Sequence, residues 1–461
     1  MSTLNDFTTW EPLLRLLRAS HAERLAAPGG RVSGRIGQHG WSVPLRRPAG
    51  AEPDDRAEFD AVERVRAVLT GAGLEDVAFT VEIPPSGRTV LRLLDHGPAV
   101  DPGIGNAHPG AVILVEDAVP APWRRLPDPV PDARPAPSVD LELLERTLRE
   151  RLPDETGATE EEIAAAEARL GVALPEELKV LYRVTSASWY DGVESQEEFA
   201  ERAEQADAVG DVLGFELSSL DSIFNENRSR SRFRWEYAAT QACVTAPDAA
   251  VQDLVWSPGW IVIGDTGGGD LVAVDLTPGP GGHLGQLIVL GHEDSVGGEP
   301  FAASLAEAVL GPEQDWYSGR RTDKSPVVAR VHGHQSMSVE AVAHPDLEVL
   351  TLGGLPEPFS LAPVVGLPRL RTLYAGPGML ADPREIGRLT GLEFLELTPQ
   401  DWRVLLDAGA VPRSLSAAAI TVYGDRADPR ETVALTNEIL ALWDRPRITS
   451  VVVEGELGPV S

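Results

Sequence analysis

The groups in this chain that could do chemistry are its histidines, its carboxylates and one thiol, and their spacing decides what they could do. His332-Gly-His334 with His344 could offer three imidazoles to a divalent metal, but no Cys or carboxylate stands at ligand spacing beside them. His21, His39, His96 and His108 are scattered, as surface or half-buried histidines are. Asp265, Asp270 and Asp275 flank the run Gly264-Asp-Thr-Gly-Gly-Gly-Asp270. A calcium loop needs a different alternation and a later bidentate Glu. A phosphate-cradling loop opens a helix and usually carries Lys-Ser or Lys-Thr, whereas here a strand pattern follows and lysine is missing. Asp265 is therefore expected to order the turn through its own backbone. His292-Glu293 falls in a turn after the next strand pattern, with nothing to make it an acid–base pair. Cys243 stands alone, which rules out an internal disulfide, and TQACVTA reads as a buried structural thiol rather than a nucleophile. No nucleophile is paired with a base in residues 1–118. The expectation is a protein without catalytic residues, metal or cofactor, whose chemistry is recognition.

The elements that would position recognition residues are Thr159–Val184 and Trp260–Leu276. Thr159 is a helix cap, and Glu162 stands where it can return a bond to the cap. Ile163, Ala166 and Leu170 make one apolar stripe on an acidic helix, and Gly171 supplies a left-handed stop. Pro175 opens a second helix, Glu176 and Glu177 complement its positive end, and Leu178, Leu181 and Tyr182 form its buried face. Trp260–Ile263 and Leu271–Leu276 read as the two strands of a hairpin around the glycine run. An acidic capped helix ending in Leu-Gly, then Leu-Pro-Glu-Glu-Leu into a Leu-Tyr helix, resembles the opening of the SUKH superfamily, the Smi/Knr-type fold. Trp-Ile-Val-Ile-Gly-Asp, Gly-Gly-Asp, a strand ending in Asp-Leu, and Gly-His-Glu resemble its closing half. The likeness covers about residues 139–318. The chain departs from it after the second helix, where Thr185-Ser-Ala-Ser-Trp189 stands in place of an Asn-Gly pair. The resemblance implies either a bacterial toxin-immunity protein or a relative of the fungal cell-wall regulators. Trp189, Tyr190 and Asp191, in or near the following loop, are candidate partner contacts or core residues packed across the helix pair. Trp260, Asp265, Asp270 and His292, on and around the hairpin, complete the candidate partner-binding set.

Four arginines alternate through Asn225–Tyr237 (Arg228, Arg230, Arg232, Arg234) with Phe233 and Trp235 between them, a pattern that can contact RNA. In so acidic a chain, pairing with carboxylates is the better expectation, and nucleic acid is not expected as a partner. Residues 1–118 read as a small α+β domain. Its helix patterns are Trp10–Ala26 and Ala57–Leu69, and its strands Val77–Ile83, Thr89–Asp95 and Ala111–Glu116. Residues 119–138 are proline-rich and predict an extended, semi-rigid spacer. In the middle domain Val139–Leu152 and Phe199–Ala208 read as helices and Val212–Ile223 as a strand with a turn. From 325 to 461, Leu347-x-x-Leu350-x-Leu352 recurs at Leu370 and Leu392, with weaker copies at Ala417 and Ile448 and a starter strand at Val328. A period in the low twenties with this pattern predicts an irregular leucine-rich-repeat-like α/β solenoid. Its convex helices would lie at Pro383–Leu389 and Thr432–Trp443. A chance leucine-rich α/β domain is the other possibility.

The fold expectation is thus α+β multidomain. The 461 residues exceed one ordinary core, and 43% hydrophobic content can fill several. A net charge of −31 argues against nucleic-acid or anionic-membrane binding and favours basic partners, such as a nuclease-type toxin domain. The lone cysteine, an amino terminus unlike a secretion signal and the lack of a membrane-length apolar run point to a cytoplasmic protein without membrane contact.

Overall fold

Apolar residues at Val77, Phe79 and Val81, and at Leu91 and Leu93, turn one face of two strands toward a common core. Trp10, Leu13, Leu14 and Leu17 supply the helical layer above it. The computed structural model describes residues 3–38, 40–45, 55–74, 76–95, 97, 99–101, 112–114, 133–189, 195–224, 227, 239–292, 296–311, 327–332, 338–354, 357–422 and 429–459. Among these residues the strands form three sheets.

The first sheet contains β1 (Val32–Gly37), β2 (Trp41–Ser42), β3 (Asp76–Glu82) and β4 (Arg88–Asp95), all antiparallel. Helices Phe7–Ser20, Ala22–Ala26 and Asp55–Gly71 accompany it. The single helix expected over Trp10–Ala26 is two, because His21 leaves the helical region (φ −129°) and its ring meets the Pro44 carbonyl. A fifth strand comes from the far end of the chain. β17 (Thr449–Glu456) lies antiparallel to β4 along its whole length, from Thr449 opposite Asp95 to Glu456 opposite Arg88. The sequence pattern Ile448-x-x-Val451-x-Val453, expected as a last repeat, is therefore not a rung of the parallel sheet. Alternating apolar residues suit either partner, and here Val453 and Leu457 close the amino-terminal core. Arg18 fastens the turn beyond by donating to the Gly458 carbonyl at 2.7 Å.

The middle sheet runs in the order β11-β10-β9-β8-β7 and is antiparallel throughout. Its strands are β7 (Glu216–Leu217), β8 (Trp260–Asp265), β9 (Leu271–Asp275), β10 (Gln286–Leu290) and β11 (Glu299–Ala302). Helices Leu141–Arg151, Glu160–Leu170, Glu176–Val184, Gln196–Leu213 and Leu305–Leu310 share a core with one face of this sheet. The strand expected over Val212–Ile223 is a correction. Val209 and Leu213 continue a helical stripe to Gly214, which stops the helix in the left-handed region, and only Glu216–Leu217 pairs as a strand.

The third sheet has five parallel strands in register: β12 (Val328–His332), β13 (Val349–Gly353), β14 (Thr372–Ala375), β15 (Phe394–Leu397) and β16 (Ala417–Ile420). Ala329, Leu350, Leu373, Leu395 and Ala418 stack as one inward row, and Val331, Leu352, Ala375, Leu397 and Ile420 as the next. The connections carry short 3-10 turns, Ala362–Val364 and Pro383–Arg388, then helices Pro399–Asp407 and Pro429–Ala441. Two short strands from the amino-terminal region extend this sheet: β5 (Val100–Asp101) and β6 (Val112–Leu114), with Leu114 opposite Ala417. The segment expected as a strand of a separate first domain thus lies in the carboxyl-terminal sheet.

The middle domain is an insertion between β6 and β12 of one sheet, while β17 returns to the first. The amino- and carboxyl-terminal regions are joined through both sheets. The middle domain also touches the parallel sheet. Arg371 donates to the carbonyls of Ala239 (3.2 Å) and Gln241 (2.6 Å) while its Nε meets Glu348 at 3.1 Å, and Arg330 donates to the Gln241 side chain at 2.7 Å. Most of the proline-rich spacer, residues 119–132, lies outside the described residues. Its described end lies against the middle domain, with Ala136 buried and the Arg134 carbonyl accepting from Leu284 N at 2.9 Å.

Candidate functional site: the helix pair and hairpin of the middle domain

The helix pair forms as its punctuation dictates. Thr159 and Glu162 make a reciprocal capping box, with Thr159 N donating to the Glu162 carboxylate at 2.7 Å and Glu162 N to Thr159 Oγ1 at 3.2 Å. Gly171 sits at φ +74° and ends the first helix. Between the helices Glu167 accepts from Leu174 N at 2.8 Å and meets Lys179 Nζ at 2.9 Å, a brace that periodicity did not announce. Tyr182, fully buried, donates to the Ser218 carbonyl at 2.6 Å and ties the second helix to the sheet margin. Glu177 does more than complement its own helix. Buried, it accepts from Ala306 N at 2.8 Å and caps helix Leu305–Leu310, and that burial pushes its carboxyl up from the usual range.

Trp189 follows this pair and is a buried member of the core, not an exposed aromatic. Its indole N–H reaches Glu155 at 3.2 Å, and Thr185 Oγ1 donates to the same carboxylate at 2.6 Å. Tyr190 and Asp191 lie outside the described residues, as do Arg228, Arg230, Arg232, Arg234, Phe233, Trp235, Glu293 and His334.

On the hairpin, Trp260 is also buried. It packs on the sheet face away from the helices, among Val251, Val262 and Ile288, edge-on to Trp256 with ring centroids 6.1 Å apart. Its side chain, expected among the contact residues, belongs to the core. A register shift between Val262 and Gly264 bulges the strand just before the tip. Gly264 is needed there, because a Cβ would stand 2.1 Å from the Glu216 carbonyl.

The tip itself is ordered by its aspartates. Asp265 Oδ1 accepts from Gly267 N at 2.7 Å and Gly269 N at 3.1 Å, the backbone role expected for it. Asp270 Oδ1 accepts from His292 N at 2.9 Å and lies 2.7 Å from His292 Nδ1. Asp265 and Asp270, on the β8–β9 connection, and His292, on the β10–β11 connection, therefore meet at one end of the sheet, half-buried at the aspartates and exposed at the histidine. Asp275, at the opposite end of β9, is fully buried and does not join them. It accepts from Thr277 N at 2.8 Å and Gln286 Nε2 at 3.0 Å. Burial raises its pKa to about 6 against the pull of those bonds. Cys243 is buried beside Val255. His332 lies on β12, level with Gly353.

A capped helix pair over an antiparallel meander, with an acidic hairpin tip, makes up a small α+β domain inserted between β6 and β12 of the parallel sheet. Residues 157–310 match the SMI1 / KNR4 family (SUKH-1), so the middle of the chain is a SUKH domain. A relative from Neurospora crassa, named "Glucan synthesis regulatory protein", is 35% identical over 78 residues. That stretch is 17% of this chain and 14% of the relative.

Proposed function

We infer that this protein is a non-catalytic, protein-binding immunity-type protein that occludes a cognate toxin domain. The observation that carries this reading is the SUKH domain's hairpin tip. It presents Asp265, Asp270 and His292 together at turns that the aspartates hold through bonds to backbone N–H groups and to the His292 ring, on a chain of net charge −31. Preordered carboxylates lose little entropy on binding and steer a basic partner, such as a nuclease-type domain, toward the tip. The mechanism is steric and electrostatic, with aspartates set against the partner's basic cleft. Trp189 and Trp260 act behind the surface, holding the helix pair and hairpin in place.

A second reading is a regulatory or scaffolding adaptor unconnected with toxins. The fused parallel sheet, read as a leucine-rich-repeat-like surface, and the name of the Neurospora relative favour it. The test is capture on full-length protein from the source organism at low and moderate salt, read by mass spectrometry. Immunity predicts one basic toxin domain, lost as salt rises and lost from the Asp265→Asn/Asp270→Asn variant. Recovery of several housekeeping proteins and no toxin would sink it in favour of the adaptor.

A further inference from the structure

A sheet edge is a row of unpaired backbone groups, and folded chains blunt such edges with short strands, prolines, bulges or charges. Five of the six edges among the described residues follow that rule along their whole length. β2, β7 and β5 are two residues each. β11 carries Pro300 and a register shift, and β12 points Arg330 and His332 outward. β17 follows it least. It runs eight residues, Thr-Ser-Val-Val-Val-Glu-Gly-Glu, pairs with β4 without a register shift, holds no proline, lysine or arginine, and carries its only charges, Glu454 and Glu456, in its carboxyl half. At its centre Val451 is 45% and Val452 46% exposed, one on each face of the sheet.

We propose that β17 is a self-association edge, pairing antiparallel with β17 of a second copy to join the two five-stranded sheets into one. Outward-pointing backbone groups alternate along the strand, so only residues that face the same way can pair across a two-fold axis. The register centred on Val452 satisfies this and uses nearly the whole strand. It sets Val452 against its own mate and Val451 against the partner's Val453, so each exposed valine gains an apolar neighbour. Ser450 falls opposite Glu454 and Thr449 opposite Gly455, so no two carboxylates meet. The self-complementary sequence favours a second copy over an unrelated strand. Both copies are acidic, so long-range repulsion opposes pairing and salt strengthens it, opposite in sign to the salt dependence of a basic partner at the SUKH tip.

The test is sedimentation equilibrium of the full chain across concentration at low and high salt. The expected result is a monomer–dimer equilibrium that tightens with salt. Val452→Lys, at an exposed position, should keep the wild-type melting temperature and weaken the dimer by at least about tenfold by placing like charges face to face. Mixing Val452→Lys with Val452→Glu should restore it. A wild-type chain that stays monomeric overturns the proposal, as does a dimer indifferent to Val452→Lys or a mixture that fails to re-associate. None of these outcomes depends on the toxin-binding reading.

Discussion

Asp275 shows how one buried carboxylate writes a pH dependence into the fold. Its pKa is raised from 3.8 to about 6 in the folded chain, chiefly by burial. The folded state therefore holds a proton that the unfolded state releases across that window, and stability falls as pH rises from about 4 to about 6. Two pKa units bound the effect at about 3 kcal/mol. Glu177, Glu396 and Asp401, raised by the same cause, add in the same direction. Asp275→Asn should flatten this slope in thermal unfolding measured between about pH 4 and 7. An unchanged slope would show that Asp275 is not the group responsible. Trp189 offers a second test at this scale. Because its side chain fills the core and its N–H meets Glu155, Trp189→Ala should cost about 3–5 kcal/mol of unfolding free energy, whatever it does to binding. A variant that weakened partner binding at unchanged stability would return Trp189 to the surface.

The capping box and the β8 bulge are the elements that fix the candidate site. Thr159→Ala removes one acceptor from an exposed helix start and should cost about 1 kcal/mol, read as a lower denaturation midpoint at constant m-value. Gly264→Ala is a different matter, since its Cβ would press on the Glu216 carbonyl where β7 meets β8. A cost of about 1–3 kcal/mol is expected, with faster amide exchange at the hairpin tip. Tip exchange equal to wild type would mean that the bulge does not hold Asp265 and Asp270 in place.

For the molecule as a whole, the decisive feature is the return of β17 to the amino-terminal sheet. Removing residues 449–461 strips Val453 and Leu457 from that core and leaves β4 as a bare edge. The expectation is loss of the amino-terminal domain's cooperative unfolding while the SUKH domain, with its own core, still melts as a unit. Two intact transitions in the truncated chain would refute this dependence. Arg371 governs the other joint, since it holds the carbonyls of Ala239 and Gln241 while paired with Glu348.

Local chemistry was enough to read the helix pair, the hairpin, the Asp265 turn and the parallel strands from β12 to β16. Each depends on residues close in sequence: a cap and its Glu, a glycine stop, a repeating leucine step. The same locality misled at Val212–Ile223, where a short apolar run suits a helix end as well as a strand. Sequence order could not show that Asp270 meets His292, that Glu177 caps a helix far along the chain, or that Trp189 and Trp260 face inward. Those outcomes depend on which elements pack together. β6 and β17 make the point most sharply. A strand's alternation says which face is buried but nothing about which neighbour it hydrogen-bonds. Only the tertiary structure could place one in the carboxyl-terminal sheet and the other in the amino-terminal one.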